Sequence, residues 1–269
     1  MIYVTGDIHG NPERLSNENF PEQKEMSRND YVVILGDFGL VWNKDTESRH
    51  EKHWLDWLEE RPFTTFFVDG NHENFDRLNA FPEEEWQGGL VHKIRPHVIH
   101  LMRGGVFMLD AVKVFAFGGA PSHDIIGLAS REELQENYAA GILDPEDPKF
   151  RKKKAMLKQE NKYFYVRPFR IKGESWWPQE LASEEEKERG LANLKAHGFK
   201  VDLIFSHEAP ESVVALGWGG RFKPSTQSLY LEEVRSKTKY IAWLFGHYHE
   251  NRKITDKELV VYEQIVRVW

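Results

Sequence analysis

The chain has 269 residues, 40% of them hydrophobic, which is enough to bury a sizeable core in one large domain or two small ones. Its 36 Lys and Arg residues against 43 Asp and Glu residues give a net charge of -7, which disfavours a nucleic-acid backbone as the main partner. The sequence contains no cysteine, which excludes disulfides, thiolate metal sites and a cysteine nucleophile.

The composition and the N-terminal residues also bear on location. A cysteine-free chain fits a reducing compartment, and we predict a cytoplasmic protein. A strand begins at once after Met1 without a basic segment before it, so no signal peptide is expected. The longest apolar runs, such as residues 31–35, are too short to cross a bilayer, and we expect no membrane partner.

Strand and helix signals alternate in the first part of the chain. Short apolar runs predict buried strands at residues 2–4, 31–35 and 64–68. Residues 50–60 carry Trp54, Trp57 and Leu58 at helical spacing between charged residues, which predicts an amphipathic helix. Shorter helices are predicted at 11–15 and 74–79. This alternation is typical of parallel strands joined by crossover helices.

The middle of the chain has a different pattern. Three apolar runs at 98–101, 105–109 and 113–117 are separated by turn-length polar pieces and predict an antiparallel β-meander. Residues 124–178 lack strand periodicity, so we interpret them as an insertion with some helix of its own, or a lid. We assign Trp176 and Trp177 to the core of this insertion. The prediction is one domain over residues 1–269 with this insertion.

The last part of the chain resumes the alternation. Ser183 and Glu186 form a capping-box pattern, which predicts a helix that runs to about residue 197 and stops at Gly198. Strands are predicted at 201–205 and 240–245, with a helix at 229–235 between them. Residues 257–262 and 264–269 are predicted to form a final hairpin.

Polar clusters follow five of the predicted strands. Their chemistry-bearing residues are Asp7, His9, Asp37, Asn71, His72, His207, His247 and His249. Carboxylate, amide and imidazole groups together are the ligand set of divalent cations that catalyse hydrolysis, so the clusters predict a two-metal site. Asp7 and His9 are two residues apart, and such side chains point the same way in a strand.

A sixth cluster differs from the other five. Gly118 and Gly119 introduce Ser122, His123 and Asp124. Three adjacent residues cannot form a serine-hydrolase triad, because the triad needs side chains that meet from separate positions. We interpret the cluster as a turn with a supporting role or a role in substrate binding.

The ordered motifs GDIHG, GDFG, GNHE, SHEAP and GHYH, which span residues 6–249, resemble those of the calcineurin-like metallophosphoesterases. Within that family, the chain looks like the metallophosphatases of bacterial and phage type. The resemblance implies a four-layer α/β/β/α sandwich with two mixed β-sheets and a site at the strand ends. It implies one metal held by Asp7, His9, Asp37 and His249. The second metal would be held by Asp37, Asn71, His207 and His247, with Asp37 bridging.

The resemblance also implies a reaction. A hydroxide that bridges the two metals attacks the phosphorus of a phosphate ester, and His72 acts as the general acid or stabilises the transition state. Two divalent ions are required; Mn²⁺ is the expected activating ion, and Fe and Zn suit the same ligands. Glu73 is a candidate for orienting His72.

The chain departs from the serine/threonine phosphatases of this family at one position. Those enzymes carry an arginine shortly after the second-motif aspartate, whereas residues 38–42 here are FGLVW. Which residues bind the substrate is left open. The candidates for a replacement phosphate clamp are Arg103, Arg131, Arg221 and Lys223.

The predicted function is a phosphomonoesterase that acts on a phosphoprotein, a small molecule or a nucleotide. A phosphodiesterase or a dinucleoside-polyphosphate hydrolase is the first alternative, and a nuclease is disfavoured by the acidic composition. Two alternatives are not enzymes: a scaffold that uses metal structurally, and an interaction module whose 124–178 insertion binds a partner. No P-loop or dinucleotide fingerprint supports a kinase or a dehydrogenase.

Overall fold

Two mixed β-sheets form the centre of the fold in the computed structural model, which describes residues 1–122, 141–164 and 169–269, without the side chains of 159–164. The strands are β1 (Ile2–Thr5), β2 (Tyr31–Leu35), β3 (Thr64–Val68), β4 (Glu83–Trp86), β5 (Gly89–Arg95), β6 (Val98–Leu101), β7 (Gly105–Leu109), β8 (Val112–Phe117), β9 (Ile142–Leu143), β10 (Arg170–Ile171), β11 (Leu203–Ser206), β12 (Ala242–Phe245), β13 (Arg252–Lys253), β14 (Glu258–Val260) and β15 (Val266–Arg267). The helices are α1 (Arg49–Glu59), α2 (Phe75–Leu78), α3 (Phe150–Phe164), α4 (Glu184–Ala196), α5 (Glu211–Trp218) and α6 (Thr226–Lys237).

Each large sheet has a parallel centre and antiparallel edges. The first sheet has the order β15-β1-β2-β3-β6-β5-β4, in which β1, β2, β3 and β6 run parallel. The second has the order β13-β14-β12-β11-β8-β7, with β8, β11, β12 and β14 parallel. The carboxyl ends of parallel neighbours lie at one edge of a sheet, so the loops after β1, β2, β3, β11 and β12 are brought together.

The two sheets pack face to face with helices on both outer faces. Val33 and Phe66 of the first sheet share one buried cluster with Val114 and Phe205 of the second. Alternate residues of β2, such as Ile34, point to the opposite face, where they pack with apolar residues of α1. Helices α4, α5 and α6 cover the outer face of the second sheet in the same way. The predicted four-layer α/β/β/α sandwich is therefore confirmed.

The predicted β-meander is wrong. Strand β6 lies in the first sheet beside β3, whereas β7 and β8 form a hairpin in the second sheet. The turn between β6 and β7 is bonded to both sheets, because Met102 N donates to Leu90 O and Gly104 N donates to Ala116 O. Strands β4 and β5 were not predicted; β4 is an exposed edge strand with three consecutive glutamates.

The predicted C-terminal hairpin is also wrong. Strand β14 pairs with β12 and β13 in the second sheet, whereas β15 pairs antiparallel with β1 in the first. The chain crosses between the sheets at residues 261 and 262, where Val261 N donates to Phe245 O and Tyr262 O accepts from Gly6 N. A short polar stretch between two strands therefore marks a change of sheet here.

Several predicted helices agree with the structure. The predicted segments 50–60 and 229–235 correspond to α1 and α6, and both halves of the Ser183–Glu186 capping box are formed at the start of α4. The segment 11–15 forms only a 3₁₀ turn at Glu13–Leu15. The described parts of the stretch 124–178, residues 141–164 and 169–178, hold β9, α3 and β10, whereas residues 124–140 and 165–168 lie outside the described part of the chain. None of the helices in the described residues is long and apolar enough to cross a membrane.

The capping box gives a stability prediction. Ser183 Oγ accepts from Glu186 N at 3.2 Å, and Glu186 Oε2 accepts from Ser183 N at 2.8 Å. We expect Ser183→Ala to lower the free energy of unfolding by about 1 kcal/mol, because the first turn of α4 loses one capping acceptor. Urea unfolding followed by circular dichroism measures this. The exposed Ser236→Ala should stay within about 0.5 kcal/mol of wild type; equal effects of the two changes would contradict the capping argument.

Candidate metal centre

The loops after five parallel strands bring the predicted ligands together at one edge of the sandwich. Four of the predicted ligands form a first group, in which one nitrogen or oxygen atom from each residue lies within 4.8 Å of those from the others: Asp7, His9, Asp37 and His249. His249 Nε2 lies 3.1 Å from both His9 Nε2 and Asp7 Oδ2. Asp7 and Asp37 are buried, whereas His9 and His249 are exposed, so this group opens to solvent on its imidazole side.

The donor set of this group fits a divalent cation. Asp7 Oδ1 accepts from His247 N at 3.0 Å. Asp7 Oδ2 is buried; His249 Nε2 lies 3.1 Å away, but no donor within the described residues meets hydrogen-bond geometry at this oxygen. A buried carboxylate oxygen without a donor costs about 1–3 kcal/mol unless a cation or proton compensates it. Two imidazole nitrogens and two carboxylates at this spacing are the ligands that Mn²⁺, Fe or Zn accepts.

A second group lies on the other side of Asp37. His207 Nε2 is 3.2 Å from Asn71 Oδ1 and 3.3 Å from Asp37 Oδ1, and the ring of His247 lies 4.9 Å from that of His207. His207 Nδ1 lies 2.6 Å from Leu35 O, which can only accept, so Nδ1 carries a proton. A backbone acceptor of this kind fixes the orientation of an imidazole and leaves Nε2 directed at the group.

Asp37 belongs to both groups through different oxygens. Its Oδ2 lies 3.9 Å from His9 Nε2, and its Oδ1 faces His207 and accepts from His72 N at 2.8 Å. Burial alone would raise the pKa of Asp37, but the nearby His207 and His72 hold it well below its usual value. Burial lowers the pKa of His207, yet Asp37 and Asp7 raise it to about 10. The carboxylates thus favour positive charge between them.

The backbone at these positions is unusual. His9, Asp37, His247 and His249 have positive φ angles of 45°, 43°, 68° and 52°. This left-handed conformation costs roughly 1–2 kcal/mol for a residue with a side chain. Such strain persists where the surrounding structure holds it, and it concentrates at functional sites. Four of the seven predicted ligands share it.

Glycines allow the loops to approach one another. A Cβ on Gly36 would lie 2.2 Å from His207 Nδ1, and one on Gly70 would lie 2.1 Å from Asp37 Oδ1. A Cβ on Gly246 would lie 2.4 Å from Asp7 Oδ1. The glycine directly before Asp37, Asn71 and His247 is the signal by which the sequence could have indicated these close contacts.

His72 lies beside the two groups. Its ring centroid is 5.3 Å from that of His9 and 5.8 Å from that of Trp42, and the residue is half-buried. The hydrogen bonds of Glu73 do not support the interpretation that it orients His72. Glu73 is buried and accepts from Phe38 N at 2.7 Å, so it supports the loop after β2 instead. Burial and the Asp37 carboxylate raise the pKa of Glu73 well above its usual value.

Three of the candidate phosphate clamps lie within the described residues: Arg103, Arg221 and Lys223. Arg103 is buried and donates through Nε to Asp69 Oδ2 at 2.9 Å, so it is committed to a structural ion pair. Arg221 is exposed, with its guanidinium 5.5 Å from the ring centroid of Phe222. Lys223 is likewise exposed. Three predicted residues lie outside the described part of the chain: His123, Asp124 and Arg131.

Sequence reasoning missed two residues beside the first group. Arg14 Nη2 donates to Asp7 O at 3.0 Å, and the ring of Tyr262 stacks on His249 with centroids 4.5 Å apart. Neither residue belongs to one of the metal-binding motifs. Trp177 is buried as predicted, but it packs against Trp42 of the site with centroids 5.6 Å apart.

The sandwich and its cluster of carboxylate, amide and imidazole groups define the class of metal-dependent hydrolases with mixed α/β folds. The sequence model of the calcineurin-like phosphoesterases matches residues 1–251, and the chain belongs to this family. The resemblance inferred from the ordered motifs is therefore confirmed. The family comprises metal-dependent phosphoester hydrolases that typically use a dinuclear metal centre. No curated protein sequence matches the chain.

A buried network supports β3 just before Asn71. Asp69 Oδ1 lies 3.1 Å from His100 Nε2, and His100 Nδ1 lies 3.1 Å from His92 Nδ1. These residues and Arg103 line a cavity of about 520 Å³. Burial, followed by the charge of His100, lowers the pKa of His92 to about 4.

This network predicts acid sensitivity. Because the pKa of His92 is about 4 in the folded state and about 6.5 when unfolded, the unfolded chain binds more protons between these values. The stabilising effect of a neutral His92 is therefore complete above pH 6.5 and is lost as the pH falls towards 4. Over that window, wild type should lose about 2–3 kcal/mol more unfolding free energy than His92→Asn.

Urea unfolding at a series of pH values measures this difference. The exposed His53→Asn serves as the control and should keep the wild-type pH dependence. Parallel pH profiles for wild type and His92→Asn would contradict the assignment.

Proposed function

We propose that this protein is a dinuclear metal-dependent phosphoesterase, and specifically a phosphomonoesterase. The position of Asp37 carries the proposal: its two carboxylate oxygens face two separate groups of metal-ligating side chains. A carboxylate so placed is suited to bridge two cations. Mn²⁺ is the proposed activating ion, and Fe and Zn fit the same oxygen and imidazole donors.

The ligands are assigned to two cations. The residues proposed for the first cation are Asp7, His9, Asp37 and His249. The residues proposed for the second are Asp37, Asn71, His207 and His247. When bound, the two cations would polarise the phosphoryl oxygens and supply a strong nucleophile at neutral pH.

The chain's own residues perform the remaining steps. The exposed imidazoles of His9 and His249 mark the side from which a phosphate ester enters. The hydrogen bond from His72 N to Asp37 Oδ1 holds His72 beside both groups, which places its imidazole next to the ester. From there it delivers a proton to the leaving oxygen. This step neutralises the alkoxide that forms as the phosphorus–oxygen bond breaks.

The substrate class is part of the proposal. We propose a phosphate monoester of a protein, a small molecule or a nucleotide, with a phosphodiester or dinucleoside polyphosphate as the alternative. The half-buried ring of Trp42 lies beside His72 and therefore beside the leaving group, which favours esters with an aromatic leaving group. The cytoplasmic location and the single domain with a 124–178 insertion are likewise proposals.

Metal-stripped protein tests the reaction. With Mn²⁺ added back, wild type should hydrolyse p-nitrophenyl phosphate faster than its bis-ester. His72→Ala should keep its bound metal but lose about 10²–10⁴-fold in kcat, because it lacks the proton donor. Asp37→Ala should lose both metal and activity. Two bound ions without hydrolysis of either ester under any divalent ion would favour the non-enzymatic scaffold.

Trp42 tests the substrate preference. We expect Trp42→Ala to raise KM for p-nitrophenyl phosphate several-fold and to leave KM for glycerol phosphate nearly unchanged, because only the aryl group contacts the indole. Trp57→Ala in α1 is the matched control, since it removes an indole away from the site. Equal changes in KM for the two substrates would contradict the role of Trp42.

A further inference from the structure

Residues 177–180, where the 124–178 stretch ends, are linked to Asn71 of the second ligand group through Ser122. We propose that Glu180 is a positioning residue: through Ser122 it orients the Asn71 amide and so sets the affinity of the second cation. This inference rests on the proposed function, because it concerns the same site. It assigns a task to a part of the chain that carries none of the metal-binding motifs.

The contacts form one continuous buried chain. Ser122 Oγ donates to Glu180 Oε2 at 2.6 Å, and Ser122 N donates to Glu180 Oε1 at 3.0 Å. Asn71 Nδ2 in turn donates to Ser122 Oγ at 3.3 Å. The exposed fractions are 6% for Asn71, 4% for Ser122 and 1% for Glu180, so bulk water does not compete for these bonds.

The direction of these hydrogen bonds decides the orientation of the amide. A serine hydroxyl has one proton, and here the carboxylate of Glu180 accepts it. The hydroxyl oxygen can then only accept from Asn71, so the NH₂ end of the amide must face Ser122. The opposite end, Oδ1, is thereby directed at His207 Nε2, 3.2 Å away, where the second cation is proposed. A flipped amide would present two N–H donors to a cation.

The segment that carries Glu180 is held firmly in place. Trp177 Nε1 donates to Asp76 Oδ2 at 2.8 Å, and Arg103 Nη2 donates to Gln179 O at 2.7 Å. On the facing side, a Cβ on Gly119 would lie 2.7 Å from Glu180 O, so the two backbones pack without room for a side chain. These three contacts fix the carboxylate relative to Ser122.

The simpler interpretation is that Glu180 only satisfies the buried Ser122. A structural role of that kind would lower stability without a specific effect on one of two cations. The isosteric Glu180→Gln separates the interpretations. Its amide nitrogen would donate to Ser122 Oγ, the hydroxyl proton would turn to Asn71, and the Asn71 amide would flip its Nδ2 towards the cation.

The experiment titrates metal-stripped protein with Mn²⁺ by calorimetry and measures turnover of p-nitrophenyl phosphate at each Mn²⁺ concentration. We expect Glu180→Gln to bind the first ion as wild type does and the second about 10–100-fold more weakly. Its kcat should recover at raised Mn²⁺, with KM for the ester unchanged. Ser122→Ala should weaken the second ion in the same direction, because the acceptor for Asn71 is gone.

Glu258→Gln is the matched control. Glu258 lies in β14, away from the proposed ligands. It is also a buried carboxylate, 2% exposed, and it accepts hydrogen bonds from Thr255 and Arg235. Its substitution should lower the melting temperature and leave both Mn²⁺ affinities unchanged.

The outcomes distinguish failure of the positioning role of Glu180 from failure of the proposed phosphoesterase function. Wild-type Mn²⁺ affinities in both Glu180→Gln and Ser122→Ala would overturn the positioning role while leaving the phosphoesterase intact. If Glu180→Gln does not fold, the result with Ser122→Ala decides. A wild-type protein that binds two Mn²⁺ ions but hydrolyses no ester would instead overturn the proposed function, and the Mn²⁺ titrations of the variants would still test Glu180.

Discussion

The close approach of the strand-end loops around Asp37 is the constraint on which the candidate site depends. The loops after β2, β3 and β11 meet so tightly that a side chain at Gly36 or Gly70 would overlap His207 or Asp37. The same approach places several predicted ligands in the left-handed region of backbone conformation. The strain is offset by the apolar core between the sheets, which holds the ends of the strands in place.

This arrangement collects negative charge where water cannot screen it. Asp7 and Asp37 are buried within reach of the same imidazoles, and their presence raises the pKa of His207 despite its burial. A buried carboxylate pair is unfavourable unless positive charge compensates it. The loops are therefore locally strained, and they hold a group of side chains that could bind a cation, as expected for a family of metal-dependent hydrolases.

Much of the site could be predicted because its signals are local. Parallel strands end at one edge of a sheet, so polar residues directly after them are brought together, and the seven candidate ligands were predicted in that way. The errors came from long-range pairing: the turn at 102–104 bonds to both sheets, and no local pattern distinguishes it from a hairpin turn. The link from Ser122 to Glu180 spans 58 residues and carries no motif. Trp177 was predicted as buried, but its packing partner Trp42 lies in a distant loop.

Anomalous X-ray diffraction from crystals of the Mn²⁺-loaded protein would test the central claim most directly. The account predicts two manganese peaks about 4 Å apart, one on each side of the Asp37 carboxylate. The second peak should lie next to Asn71 Oδ1 and His207 Nε2. A single peak, or a second peak away from these two atoms, would contradict the dinuclear centre.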